Sequence, residues 1–247
     1  MLQNKVRIDK KSPIPIYYQL KNFIKKQIEN GIWKPGELIP SERELSEELE
    51  ISRMTVRQAL IELVNEGLLF RKRGMGTFVA KPKLDQNLTK LTNFTSDMLS
   101  RGMKPGAKVL VVNTIQATKK LAEKLNLLEG DNVVELFRLR LADEEPMALE
   151  RSFLPYAKAF PILEEELENR SLYELLRSKC NLNLVRAKQT IEISYCDPRN
   201  AALLEVTADT PLLLIERVTF TEDGEPVEYV RSYYRGDRYK FSIELSV

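Results

Sequence analysis

A chain of 247 residues, 43% hydrophobic and 30% charged, is long enough for two domains with a core each. It has no histidine and two cysteines, which excludes histidine-based triads and His-liganded zinc and argues against a structural zinc site. The formal net charge of +2 conceals a division. Residues 1–82 carry 15 Lys and Arg against 10 Asp and Glu, and the remainder 23 against 26, a basic front that suits a nucleic-acid module joined to a different domain.

Met1–Ser12 is polar and basic, a frayed end or a segment lying near phosphates. Pro13-Ile14-Pro15 opens a first helix with a stripe of Tyr17, Leu20, Ile24 and Ile28, and Gly31 stops it. Trp33, beside a Pro35-Gly36 turn, reads as a packing residue. Ser41 and Glu44 form a capping-box pattern for a short second helix. Ser52, with Glu50 as second choice, caps a third helix striped by Val56, Leu60, Leu63 and Val64. Its opening turns present Arg53, Thr55 and Arg57, polar groups that can lie against base edges and phosphates, while Met54 and Val56 can turn inward. Leu68–Arg71 and Gly76–Val79 then flank Lys72-Arg73-Gly74-Met75, a hairpin with a cationic tip. Taken singly, a helix pair is common and a Lys-Arg run is a solvated loop. Together and in this order they read as a winged helix-turn-helix over residues 1–80.

Pro40-Ser41-Glu42-Arg43, Ser52-Arg53-Met54-Thr55-Val56-Arg57-Gln58-Ala59-Leu60 and Gly74-Met75-Gly76-Thr77-Phe78-Val79 resemble the DNA-binding domain of the GntR family of bacterial transcription regulators. That resemblance implies contact with double-stranded DNA through Arg43, Ser52, Arg53, Thr55, Arg57 and Arg73, with insertion into the minor groove around Gly74. It also implies a homodimer on a palindromic operator.

The polar stretch beginning at Ala80, with Pro82, reads as a linker over 81–89 ahead of a second domain over 90–247. A short helix begins at Asn93-Phe94-Thr95-Ser96 and ends at Gly102, and Pro105-Gly106 reads as a turn. Strands are expected at Lys108–Ile115, Val133–Leu141, Met147–Leu154, Leu184–Ser194, Leu212–Thr221 and Val227–Tyr234. Helices are expected near Lys119–Leu125, Phe160–Glu168, Ser171–Ser178 and Arg199–Leu204. This is the pattern of an α+β domain on a mainly antiparallel sheet.

Residues 136–152 and 215–232 repeat one design: a strand, an acidic turn with Glu-Pro, and a returning strand. Strand alternation places Arg138, Arg140, Glu150, Ser152, Glu228, Ser232 and Tyr234 on one face, with an apolar reverse. That face is either a solvated surface with cross-strand ion pairs or a cleft for a small anionic, hydroxyl-rich ligand. The helix starts at Asn93–Ser96 and Asn169-Arg170-Ser171 serve either reading, as ordinary caps or as anion sites.

From about Leu88 onward the chain is similar to the UTRA effector-binding domain of HutC-type GntR regulators, whose fold resembles chorismate lyase. Asn93-Phe94-Thr95-Ser96-Asp97-Met98, Ser100-Arg101-Gly102-Met103-Lys104-Pro105-Gly106, Arg186-Ala187-Lys188-Gln189 and Tyr234-Arg235-Gly236-Asp237-Arg238-Tyr239 look most like repressors of N-acetylglucosamine utilisation. The resemblance implies an effector such as glucosamine 6-phosphate or N-acetylglucosamine 6-phosphate. Arg138, Arg140, Ser171 and Tyr173 would hold its phosphate; Phe94, Thr95, Glu150, Glu228 and Tyr234 would meet its sugar. Other members take other sugar phosphates or amino-acid derivatives, and an enzyme on this domain is a further alternative, although no nucleophile–base pair or metal cluster is apparent.

No apolar run approaches a membrane span and no apolar signal segment opens the chain, so a cytoplasmic location without membrane contact is expected. Cys180 and Cys196 stand in unrelated contexts, which favours reduced thiols while leaving a bridge between them open. No cofactor and no metal are expected.

Overall fold

Three helices and a hairpin build the first unit of the computed structural model, which describes residues 8–72 and 74–245. Helix α1 (Ile16–Glu29) buries Leu20 and Ile24 completely and Tyr17 and Ile28 in part. It ends at Glu29, two residues before Gly31, whose φ of 69° breaks the helical path. Helix α2 (Glu42–Leu49) starts on both bonds of its capping box: Glu44 N donates to Ser41 Oγ, and Ser41 N to Glu44 Oε2. Glu50 closes α2 in the left-handed region, so it is Ser52 that caps α3 (Arg53–Asn65).

Val56, Ala59, Leu60 and Leu63 of α3 are fully buried, each large one contributing about 1.5–3 kcal/mol by leaving water. Met54 does not turn inward; it is 68% exposed. At 3.6 residues per turn it lies about 160° around the helix from Val56, so burying Val56 exposes it. Trp33 packs edge-on against Phe23 at 6.5 Å, in the core with α1 and α3. Strands β1 (Leu69–Lys72) and β2 (Gly76–Val79) form the wing, joined by a bridge from Leu38 to Phe78. Gly76 is required there: its φ is 119°, and an added Cβ would come within 2.7 Å of the Leu38 side chain.

The chain divides between Pro82 and Lys83. The segment expected as a linker over 81–89 contains a strand, β3 (Leu84–Asn87), which pairs in parallel with β10 (Tyr239–Ser242). Its signal is weak in sequence because its partner is at the far end of the chain. Helix α4 (Phe94–Ser100) follows, then β4 (Pro105–Gln116), α5 (Lys119–Leu125), β5 (Asn132–Ala142) and β6 (Glu145–Pro155). A short α6 (Tyr156–Ala159) and a 3-10 turn (Phe160–Glu164) replace the single helix expected at 160–168. Helix α7 (Leu172–Cys180), β7 (Leu184–Tyr195), α8 (Pro198–Leu204), β8 (Pro211–Thr221) and β9 (Pro226–Arg235) then precede β10.

Six strands make one antiparallel sheet in the order β4-β5-β6-β9-β8-β7. The order is symmetric about the β6–β9 junction, and the elements α4-β4-α5-β5-β6 recur as α7-β7-α8-β8-β9. The repeat seen in the hairpins therefore extends to the whole unit, giving the expected α+β architecture. Pro105-Gly106 is not a turn but the start of β4, facing Ala142 and Leu141. Sheet pairing overrides the local Pro-Gly preference there.

On one face, α7 packs over Leu136 and Leu154, and α4 over Ala148, Ile215 and Tyr234. On the reverse, α5 covers Val133, Phe153 and Tyr229, and α8 covers Phe137, Leu139 and Leu149. That reverse face is less apolar than alternation suggested. Arg151 pairs there with Glu135, and Arg231 with Glu216.

Candidate functional site

Two sets of arginines carry the candidate chemistry, one in each unit. In the first unit Arg53 and Arg57 stand on the exposed face of α3, beside Met54 and Gln58. Ser52 Oγ accepts from Thr55 N and lies 2.8 Å from Thr55 Oγ1, fixing the helix start. Arg43 pairs with Glu47 one turn along α2. Glu42 joins three elements: one carboxylate oxygen is 3.0 Å from Arg57 Nε, the other 2.9 Å from Arg71 Nη2. Glu42 and Arg71 were not among the residues expected here; their signal, cross-element charge pairing, exists only in three dimensions. Gly74 turns the wing at φ 75°, and a Cβ added there would meet open space. Arg73 lies outside the described residues.

In the second unit the polar face is a set of cross-strand rows. Arg138 faces Glu150, which faces Ser232, which faces Ile215. The next row runs Gln189, Arg217, Val230, Ser152 and Leu136. Between the openings of α4 and α7, Arg138, Glu150, Ser232, Ile215, Arg217 and Val230 of these rows line a narrow cleft with a cavity volume of about 40 Å³.

Arg138 and Arg140 are both buried and share Glu150: Arg138 Nη2 is 2.5 Å and Arg140 Nη1 3.7 Å from Glu150 Oε1. Arg138 also donates to the Arg170 carbonyl, just before the Ser171 cap of α7. Arg140 donates to Thr95 Oγ1 at 3.0 Å and stacks 4.6 Å from the Phe94 ring centre. The Nε atoms of both arginines are buried without an acceptor.

The second carboxylate sits in different company. Glu228 accepts from Ser152 Oγ at 2.9 Å and from Tyr173 OH at 3.1 Å, with Thr219 Oγ1 at 3.3 Å. Tyr173, expected beside a phosphate, is thus bonded on the carboxylate side of the cleft, and Thr95, expected beside a sugar, is bonded to the arginine side.

These surroundings split the two acids. Burial pushes Glu150 up, but the Arg138 and Arg140 charges outweigh it and hold the carboxyl below its ordinary range. Burial, followed by the charge of Glu150, pushes Glu228 above its ordinary range. Burial also lowers Arg140 to about 10 and raises Tyr234 to about 12, so at neutral pH the first is a cation and the second a neutral phenol.

The nine residues expected around an effector all line this one cleft. Arg217 and Thr92 also line it, and Thr219 reaches it through Glu228. Arg217 was foreshadowed: in the repeat it aligns with Arg138 and shares the parity of the polar face.

A family model described as bacterial regulatory proteins, gntR family, matches residues 16–79, and a UTRA-domain model matches residues 100–240. The HTH-type transcriptional repressor NagR of Bacillus subtilis (strain 168) is 44% identical over 236 residues, spanning 96% of this chain and 97% of NagR. The chain belongs to the GntR family. As a UTRA-bearing GntR protein it is a DNA-binding transcriptional regulator with an effector-binding domain, not an enzyme. The Mannosyl-D-glycerate transport/metabolism system repressor MngR of Escherichia coli (strain K12) is 32% identical, over 93% of this chain and 95% of MngR. Among solved structures, PhnF from Mycobacterium smegmatis superposes with a TM-score of 0.65 at 32% identity, covering 92% of this chain and 99% of PhnF. Among the described residues no helix is long and apolar enough to cross a membrane, and both cysteines are free thiols.

Proposed function

We propose that this chain is a cytoplasmic, homodimeric repressor of amino-sugar utilisation genes, released from a palindromic operator by a phosphorylated amino sugar such as glucosamine 6-phosphate or N-acetylglucosamine 6-phosphate. The observation that carries this reading is the charge of the cleft. Three guanidinium groups, on Arg138, Arg140 and Arg217, face two carboxyls, one of which holds its proton to higher pH. Cations in so confined a place favour an anionic guest, and planar forks suit a phosphate. Glu150, Glu228 and Tyr234 then offer the mixed acceptors and donors that ring hydroxyls and an amino group need.

MngR, named for mannosyl-D-glycerate, is less similar to this chain than NagR is, at 32% against 44% identity, and the amino sugar is taken from the motif resemblance given above. On the DNA side, Arg43, Ser52, Arg53, Thr55, Arg57 and Gly74 are the proposed contacts. Arg57 and Arg53 enter the major groove and the wing meets the minor groove. Half-sites about 34–36 Å apart, or a multiple of it, suit the two-fold pair.

A thermal-shift screen of sugar phosphates tests the effector. A true ligand raises the melting temperature by mass action, by about 2.7 kcal/mol of stability at a hundred times its Kd. No shift with either amino-sugar phosphate, beside a clear one with a different metabolite class, overturns the assignment.

A further inference from the structure

Arg217 differs from the other two arginines of the cleft in what it holds. Arg138 and Arg140 share an anion, Glu150. Arg217 donates Nε to Gln189 Oε1 at 2.9 Å and Nη1 to the Thr92 carbonyl at 3.1 Å, both neutral acceptors. The Tyr173 hydroxyl is a third partner, and the charge of Glu228 also acts on Arg217, without an ion pair between them. A partly buried guanidinium bonded to neutral groups is available to an anion that enters, because charge-assisted bonds are about twice as strong as neutral ones.

The Thr92 end of this contact matters most. Thr92 precedes Asn93, the cap of α4, and its Oγ1 accepts from Gln86 Nε2 at 3.3 Å. Gln86 belongs to β3, the strand that begins two residues after the unit boundary at Pro82. A continuous set of contacts thus runs from Gln189 through Arg217 and Thr92 to Gln86, and covalently on to the winged-helix unit. Further bonds fasten β3 and its neighbours, among them Arg101 Nη2 to the Asp85 carbonyl, Ser242 Oγ and Lys240 Nζ to the Asp85 carboxylate, and Leu88 N to the Ser242 carbonyl. None of these residues lines the cleft.

We propose that Arg217 is the coupling residue of this regulator, a positioning group that reports anion binding to the segment Leu88–Asn93. It clamps the Thr92 carbonyl. An anionic effector draws the guanidinium to itself, the clamp opens, and the lead-in from β3 to α4 is freed to shift. This rests on the effector reading above for its trigger, but the clamp itself does not.

Two measurements on the full chain test it. The first uses no ligand: hydrogen exchange of the amides at 88–93 in wild type and Arg217→Gln. Loss of the charged clamp should speed exchange there by about tenfold or more, with other protected amides of the unit unchanged. Equal exchange overturns the proposal whatever the effector proves to be, and faster exchange everywhere makes Arg217 a general structural residue and overturns it too.

The second measures affinity for operator DNA, recovered by in vitro selection, with and without glucosamine 6-phosphate, alongside calorimetry of the sugar phosphate. In wild type the ratio should fall in the ordinary coupling range of about 5–150-fold. In Arg217→Gln, whose affinity for the sugar phosphate should be weaker because Arg217 also meets the anion, it should approach one even at concentrations that calorimetry shows to saturate the variant. Thr92→Val, which removes only the acceptor for Gln86, should lower the ratio in part. An unchanged ratio in Arg217→Gln overturns the role, as does complete loss of sugar-phosphate binding. A wild type indifferent to the sugar phosphate refutes the effector reading instead, and the exchange result still decides the role of Arg217.

Discussion

The arginines of the winged-helix unit and those of the cleft in the second unit are chemically the same group in opposite surroundings. Arg43 and Arg57 keep more than half of their side chains exposed, at 70% and 53%, whereas Arg138 and Arg140 each keep 3%. An exposed guanidinium stays hydrated and its surface ion pairs are worth ~0–1 kcal/mol, so it exchanges a carboxylate for a DNA phosphate with little penalty. A buried one has already lost its water during folding, and it needs Glu150 to remain there. The first kind suits many weak contacts along a polyanion. The second suits a few strong contacts with one small anion.

Salt should separate the two regions most sharply. If the winged helices together neutralise about 6–10 phosphates, operator affinity falls by ~10³–10⁵ between 50 and 200 mM salt. Sugar-phosphate affinity, set in a screened cleft, should change far less over the same range. Parallel titrations by anisotropy and calorimetry check this. Equal slopes would mean that the cleft arginines act as surface charges, and the comparison would fail.

A matched pair of substitutions takes the contrast to single residues. Arg138→Ala strands Glu150 with only Arg140 at 3.7 Å, so it should cost about 3–5 kcal/mol of stability and abolish the calorimetric signal of the effector. Operator binding below the lowered melting point should survive. Arg57→Ala should do the reverse: stability within about 0.5 kcal/mol of wild type, and operator affinity weaker by roughly 1–3 kcal/mol if Arg57 reads a base. Undiminished sugar-phosphate binding by Arg138→Ala removes Arg138 from the cleft chemistry. Unchanged operator affinity in Arg57→Ala removes Arg57 from readout.

The two regions also differ in how far they can be read from the chain. The winged helix is legible because its signals are local: the Ser41/Glu44 box, the Ser52 cap, the Val56-Leu60-Leu63 stripe and the hairpin around Gly74 each span a few residues. Only Met54 was misplaced, and counting helical angle from Val56 corrects it. The sheet's six strands and the grouping of Arg138, Arg140 and Glu150 follow from alternation and the hairpin repeat. Strand β3 escaped because its pairing with β10 spans almost the whole unit. Pro105-Gly106 misled because a turn-forming pair was drawn into a strand by its neighbour β5. Arg217 was within reach, since the repeat sets it opposite Arg138, but its bonds to Gln189 and Thr92 depend on packing that no period encodes.

Glu228 provides the smallest and finest test, because it separates the cleft's two acids. Its folded value is raised, chiefly by burial and then by the charge of Glu150. A carboxyl with a raised folded value favours the folded state in its protonated form. Its contribution is therefore fully present below the ordinary value of 4.5 and is lost as pH rises through the raised value. Glu228→Gln removes the charge and keeps an acceptor for one of Ser152 and Tyr173, which bond different oxygens; the other hydroxyl must turn to accept from the amide. At neutral pH the variant should melt higher than wild type, and the gap should close as pH falls toward 4.5. Glu150→Gln should behave oppositely at neutral pH, melting lower than wild type, because Glu150 is the anion that Arg138 and Arg140 require. Calorimetric scans at several pH values measure both. If the two variants shift in the same direction at neutral pH, the acids are not distinguished by their surroundings, and Glu228 shares the ordinary ion-pair role of Glu150.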